Sequence, residues 1–262
     1  MKNSGPRPLA SGFTMVELLV TLAIITVLAT LGFQGYRSAR LRANEAVSTA
    51  NLRQLAAANL LYAADHFTYS PASDRFNRIR WHGGRAKGRS KFDPAKGYLS
   101  EYLGGSGRVG VCPEFLRHLS GTNSWEDGSG GYGYNAVYLG GYLNYDDSGN
   151  PVPQRPGNVG KPERTLMFAT TALSKAEGIQ EYPFAEAPKF VDSEGNITGE
   201  ASQASIHFRF NGRALVAWCD GHISSERSQG EAQKNVYGGN NKEANIGFCG
   251  PTANNGWWNP EN

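Results

Sequence analysis

Cysteine is scarce in this sequence: Cys112, Cys219 and Cys249 are the only three. At most one intramolecular disulfide can form from them. No CxxC pair occurs, which excludes a zinc ribbon and a thioredoxin-like redox motif. An excess of either charge is also lacking. The formal net charge is +3, too mild to point to nucleic acid by itself. No P-loop, dinucleotide fingerprint or Ser-His-Asp order stands out, so no enzyme activity, catalytic residue or cofactor is expected. His207, Cys219, Asp220 and His222 lie close in sequence but match no ligand spacing, and no metal is expected there. Asn144, Asp146 and Asp147 offer oxygens, yet the segment lacks the spacing of a calcium loop and reads as a solvated turn.

Glycine and aromatic residues are plentiful: 33 Gly, 12 Tyr, 12 Phe and 5 Trp. Glycine serves turns and aromatics suit pleated surfaces, so most of the chain reads as loop-rich β structure. One long apolar run breaks this pattern. Residues 1–12 are polar and carry Lys2 and Arg7; residues 13–33, FTMVELLVTLAIITVLATLGF, carry one charge, Glu17. As a helix that run is about 30 Å long, the thickness of a hydrocarbon core. It is too long for the apolar region of a secretory signal peptide, which spans about 7–15 residues. A plain signal anchor is disfavoured by Glu17, because an unpaired charge inside a membrane costs about 2.5–3.5 kcal/mol or more.

The run Gly12-Phe13-Thr14-Met15-Val16-Glu17, followed by LLVTLAIITVLATL, resembles the start of type IV pilins and type II secretion pseudopilins. The resemblance implies cleavage after Gly12 by a prepilin peptidase and N-methylation of Phe13. It also implies that Glu17 guides assembly with other pilin or pseudopilin subunits at an inner-membrane platform. It places a single-pass precursor in membrane lipid, N-terminus cytoplasmic and globular domain periplasmic, before entry into a filament. Charge does not decide this topology, since Arg37, Arg40 and Arg42 follow the run and Lys2 and Arg7 precede it. Cleavage would create an α-amino group on Phe13, one helical turn from Glu17 on the same face. The carboxylate of one subunit would then meet the amine of its neighbour, a buried pair suited to setting register.

Beyond residue 33, Tyr36, Ala39, Ala43, Val47, Ala50, Leu55, Ala58 and Tyr62 recur at mostly three- and four-residue spacing. One nearly continuous helix is expected over residues 14–64, amphipathic in its second half. Gly32 and Gly35 each lower helix propensity by about 1 kcal/mol, so a kink or local melting is expected there.

The remainder is similar, segment by segment, to pilin-like proteins that end in a His-x9-Asp-Gly motif. The matches are residues 51–71, Val111-Cys112-Pro113, 131–135 (GYGYN), 164–168 (RTLMF) and 208–226 (FRFNGRALVAWCDGHISSE). The pattern is degenerate: nine residues before Asp220 and Gly221 the family histidine is replaced by Phe210, and the nearest histidine is His207. The resemblance implies a cysteine near this point that can pair with the one of the Cys-Pro motif, where this chain has Ser48. Residues 213–219 read as a strand, Asp220-Gly221 as a two-residue hairpin turn with both φ positive, and 222–225 as the return strand. Residues 104–160 read as loops with short strands. Trp257, Trp258 and Cys249 suggest that the tail, 228–262, packs back on the domain.

One stretch allows a second role. Residues 75–91, RFNRIRWHGGRAKGRSK, interleave Arg75, Arg78, Arg80, Arg85, Lys87, Arg89 and Lys91 with Phe76 and Trp81. Such a pattern binds DNA or another polyanion or glycan when exposed; its competing reading is a solvated, flexible, glycine-containing loop. The expected architecture is α+β and pilin-like: residues 1–12 a leader, 13–66 a long helix with 13–33 transmembrane, and 67–262 a globular β-rich domain. Its expected function is a structural filament subunit, with a polyanion- or glycan-binding adhesin as the alternative.

Overall fold

The structure, a computed structural model, describes residues 13–88, 90–120, 126–192, 194–229 and 235–261. Helix α1 spans Met15–His66. Among the described residues twelve short strands follow: β1 (Ile79–Arg80), β2 (Gly83–Gly84), β3 (Tyr132–Tyr134), β4 (Leu166–Thr170), β5 (Leu173–Lys175) and β6 (Gly178–Gln180). The rest are β7 (Lys189–Val191), β8 (Ile197–Ala201), β9 (Ile206–His207), β10 (Arg213–Trp218), β11 (Ile223–Arg227) and β12 (Ile246–Gly247). The chain divides into two compact units, Met1–Ala43 and Asn44–Asn262. The second unit therefore includes the last part of α1.

Within that unit the frame is an antiparallel sheet in the order β11-β10-β4-β3. Val216 sits opposite Ala169, and Ala169 opposite Gly133. Strand β4 is buried along its whole length, and β10 from Ala214 to Trp218, so both faces of the sheet are covered. Ala214, Val216 and Trp218 alternate onto one face, in a core with Ile206, Phe208, Cys249 and Trp258. The indole of Trp258 donates to the Ala185 carbonyl (2.9 Å), and Trp257 meets Trp218 edge-on. The tail thus closes the domain, as its tryptophans suggest. Paired two-stranded ribbons, β5–β6 and β7–β8, extend from this frame.

Helix residues 44–66 pack on the sheet through Ser48, Leu52, Leu55, Ala56, Ala58, Asn59 and Ala63. This stripe differs from the one expected: Val47 and Ala50 face outward, whereas Ser48 and Asn59 face inward. Both polar side chains find a partner inside, although Asn59 Nδ2 is left without one. Ser48 Oγ lies 3.0 Å from Cys112 Sγ, and Asn59 Oδ1 accepts from the Ser70 amide at 2.8 Å. Asn51 Nδ2 donates to the Tyr132 hydroxyl (3.0 Å) and to the Gly110 carbonyl (2.9 Å). Helix and sheet are thus joined by directional bonds as well as apolar contact. The helix is unbroken at Gly32 and Gly35, against the expected melting. A hydrogen-bonded ladder on each side outweighs about 1 kcal/mol of propensity per glycine.

Candidate functional site: the head of the long helix

Helix α1 begins with a reciprocal cap. Thr14 Oγ1 accepts from the Glu17 amide at 3.2 Å, and Glu17 Oε2 accepts from the Thr14 amide at 2.9 Å. The Thr14 hydroxyl also donates to Oε2, at 2.8 Å. This is the Thr-x-x-Glu capping box, which satisfies donors that the first helical turn leaves unpaired. The negative carboxylate also complements the positive end of the helix macrodipole. The signal is present in residues 14–17 of the sequence, and it gives Glu17 a role within its own helix beside the expected one between subunits. Glu17 Oε1 makes no hydrogen bond among the described residues, so one oxygen remains for a partner. Gly12, the expected cleavage residue, lies outside the described residues; Phe13 is 75 % exposed.

Above the cap, residues 13–40 are exposed all round the helix. Leu19, Val20, Ile24, Ile25, Val27, Leu28 and Leu31 each exceed half exposure. An amphipathic surface helix would bury one apolar stripe and solvate the other face. An all-round apolar helix must instead be covered by lipid or by other protein. By length and composition this helix qualifies to cross a membrane.

The other expected sites fare differently. Asp220 and Gly221 do lie in a hairpin, between β10 and β11, but not in a two-residue turn. Only Gly221 has positive φ (+90°), and the Trp218 amide pairs with the His222 carbonyl across three residues, 219–221. This is a type I turn closed by a left-handed glycine. Asp220 Oδ1 accepts from the His222 amide (3.0 Å) and lies 2.7 Å from its Nδ1, a self-contained turn. The two-residue turn with both φ positive is at Asn211-Gly212, +50° and +74°, where Phe210 and Arg213 exchange both backbone bonds. The Asn-Gly dipeptide is as strong a two-residue turn signal as Asp-Gly.

The basic-aromatic stretch is split by burial. Trp81 is in the core with its indole donating to the Pro183 carbonyl at 2.8 Å. Arg80 is 2 % exposed, pairs with Glu126, and stacks on Phe92 and Phe184. Arg85 donates to the Asn77 carbonyl and lies over Phe92. Arg80 and Trp81 are therefore withdrawn from any polyanion surface, because burying the indole and pairing the guanidinium stabilises the fold instead. Arg75, Arg78, Lys87 and Lys91 remain exposed; Arg89 lies outside the described residues. The competing picture of a flexible loop is corrected as well, since the segment forms β1 and β2 against the core.

Among the described residues no group of three or more His, Cys, Asp or Glu is placed to hold a metal. Asp146 spends its carboxylate on the Ser148 and Asn150 amides, at 2.9 and 2.8 Å, in a solvated turn. All three cysteines are unpaired and buried. Burial pushes the Cys219 thiol up to about 12 and raises Cys249 further, which keeps both protonated and inert.

Comparison with known proteins adds two findings. Residues 7–33 match the family model of the prokaryotic N-terminal methylation motif. Over 61 residues the chain is 39 % identical to the type IV wide pilus major component PilA4 of Thermus thermophilus. That alignment covers 23 % of this chain and 47 % of the relative, so the chain spans about half the length of the protein it matches. No solved structure matches the chain.

Proposed function

We propose, from the methylation-motif match of residues 7–33 and the likeness to a type IV pilin, that the chain is a structural subunit of a type IV pilus-like or type II secretion filament. Its role is architectural, not catalytic. A prepilin peptidase cuts after Gly12 and methylates the new amine on Phe13. Before assembly, residues 13–33 hold the subunit in the inner membrane, with the globular domain on the far side from Gly12. On assembly, the same residues exchange lipid for the helices of other pilin or pseudopilin subunits. The size and elaboration of the domain favour a minor or pseudopilin position over a major one.

The observation that carries this reading is the all-round apolar surface of residues 13–33 headed by a single carboxylate. Glu17 keeps one oxygen in its own capping box and leaves Oε1 for the Phe13 amine of a neighbour. That pair offsets the cost of taking both charges out of water and admits one axial register. The test is co-expression with a prepilin peptidase, read by intact mass. The expected product lacks residues 1–12 and carries one methyl group on Phe13. An uncleaved chain, or one cut after residue 33, overturns the proposal. Glu17→Ala should leave cleavage intact and lower recovery of subunits in sheared filaments.

A further inference from the structure

A cavity of about 720 Å³ opens on the globular unit, far in sequence from the helix head. That volume is typical of small-molecule sites. Its walls come from three places: the segment after β3, the β7–β8 turn, and the C-terminal residues 254–261. Tyr138, Tyr142, Asn144, Gln154 and Asn196 line it, with Leu143 and Ile197 among them. Among the described residues the charged ones at its walls are Asp192, Glu194 and Glu261, with no lysine or arginine.

The walls are braced. Asn255, fully buried behind the cavity, donates to the Tyr138 hydroxyl (2.8 Å) and ties both backbone groups of Lys189. Tyr142 packs against Phe184 with ring centres 5.5 Å apart. The β7–β8 turn is held by Asp192, whose carboxylate accepts from the Glu194 amide (3.0 Å) and the Asn196 amide (2.8 Å). The turn next to Asn144 repeats this device with Asp146, Ser148 and Asn150. Two Asp-x-x-Gly-Asn turns of one geometry thus flank one cleft. Backbone strain is found at the same place, at Leu143, whose φ is +83°. Left-handed backbone at a branched residue is rare, and it collects where structure serves binding.

We propose that this cleft binds a neutral saccharide. Tyrosine rings offer flat apolar surface to the C–H face of a sugar. Side-chain amides donate and accept at once, which matches vicinal hydroxyls. The carboxylates add strong acceptors for those hydroxyls and repel uronates, phosphates and nucleic acid. Residues 75–91 approach this site only at its flank, where Arg75 lies beside Gly149 of the Asp146 turn; their exposed cations would favour the opposite class of ligand. Its occupation does not depend on filament assembly.

The test uses the full chain in a non-glycosidic detergent, with saturation-transfer NMR. The probes are maltotriose, cellotriose and triacetylchitotriose, with trigalacturonate as the anionic control. At least one neutral probe should receive saturation and trigalacturonate none. Asn144→Ala, an exposed change, should weaken that probe by about ten-fold or more. Glu194→Gln, also exposed, should weaken it and let trigalacturonate bind more readily. Silence from all three neutral probes, wild-type binding of trigalacturonate, or no loss in either variant overturns the proposal.

Discussion

Ser48 and Cys112 illustrate how one side chain replaces another's chemistry. The hydroxyl and thiol touch at 3.0 Å inside the domain, between the helix and the loop before β3. Ser48→Cys should therefore oxidise to a disulfide with Cys112. Closing so long a loop is worth about 4 kcal/mol through the unfolded state, so the midpoint of urea unfolding should rise. Alkylation followed by intact mass checks the bond: one reactive thiol pair should vanish, and reductant should return it. The residue comparison read in the sequence pointed at this position, but no spacing rule reveals that Ser48 faces inward while Val47 faces out. That choice is made by Cys112, a partner drawn from a distant segment. Gly212 tests the turn at the same scale. Its φ of +74° is strained for any residue with a Cβ, so Gly212→Ala should cost about 1 kcal/mol or more. Gly221→Ala should cost a similar amount, since its φ is +90°. An unchanged stability in Gly212→Ala would mean that Gly212 does not hold a left-handed φ in the folded domain.

Among the elements, α1 was the most legible. Its length and its apolar run are local, and its observed limits, Met15–His66, fall within two residues of those expected, whereas the stripe it buries was misplaced at Val47 and Ala50. The Asp-Gly hairpin was legible in place and strand direction but not in turn type, because turn type depends on backbone φ that Asp and Gly both permit. Burial of Arg80 and Trp81 was illegible: seven cations in seventeen residues read as surface until Glu126, Phe92 and Phe184 arrive to cover one of them. The cleft was equally hidden, since its walls join segments more than one hundred residues apart. The helix itself makes a prediction. A Cβ at Gly32 or Gly35 would meet nothing within 4 Å. Replacing both by alanine should raise helix stability by about 1 kcal/mol each. Amide exchange around residues 30–37 in micelles should slow accordingly. Unchanged exchange would mean that those glycines are not limiting the helix.

At the scale of the whole molecule, two buried histidines tie stability to pH. His82 and His207 are almost wholly inaccessible, and neither ring nitrogen of either one finds a hydrogen-bond partner. Burial first, then the charges of Arg80 and Arg85, hold His82 well below its ordinary value. Burial first, then Arg209 and His118, do the same for His207. Both are therefore neutral in the folded domain. The unfolded chain takes up protons at about pH 6.5, where the folded chain does not. Stability is thus fully present above that pH and falls as pH drops through it, at a limiting rate of about 1.4 kcal/mol per pH unit for each histidine. His118, lowered by burial and by Arg209, adds in the same direction. Asp127 and Glu186, whose carboxyls burial raises, act in the opposite direction and blunt the slope. Urea unfolding at pH 7.5 and pH 5.0 separates these contributions. The wild-type midpoint should fall clearly in acid. The double variant His82→Gln, His207→Gln, which cannot titrate there, should start less stable but lose much less between the two conditions. Equal losses in the two proteins would mean that these rings are not held neutral. For a domain proposed to stand outside the cytoplasm, where pH follows the medium, that slope sets the most acidic condition in which a filament of such subunits keeps its surface folded.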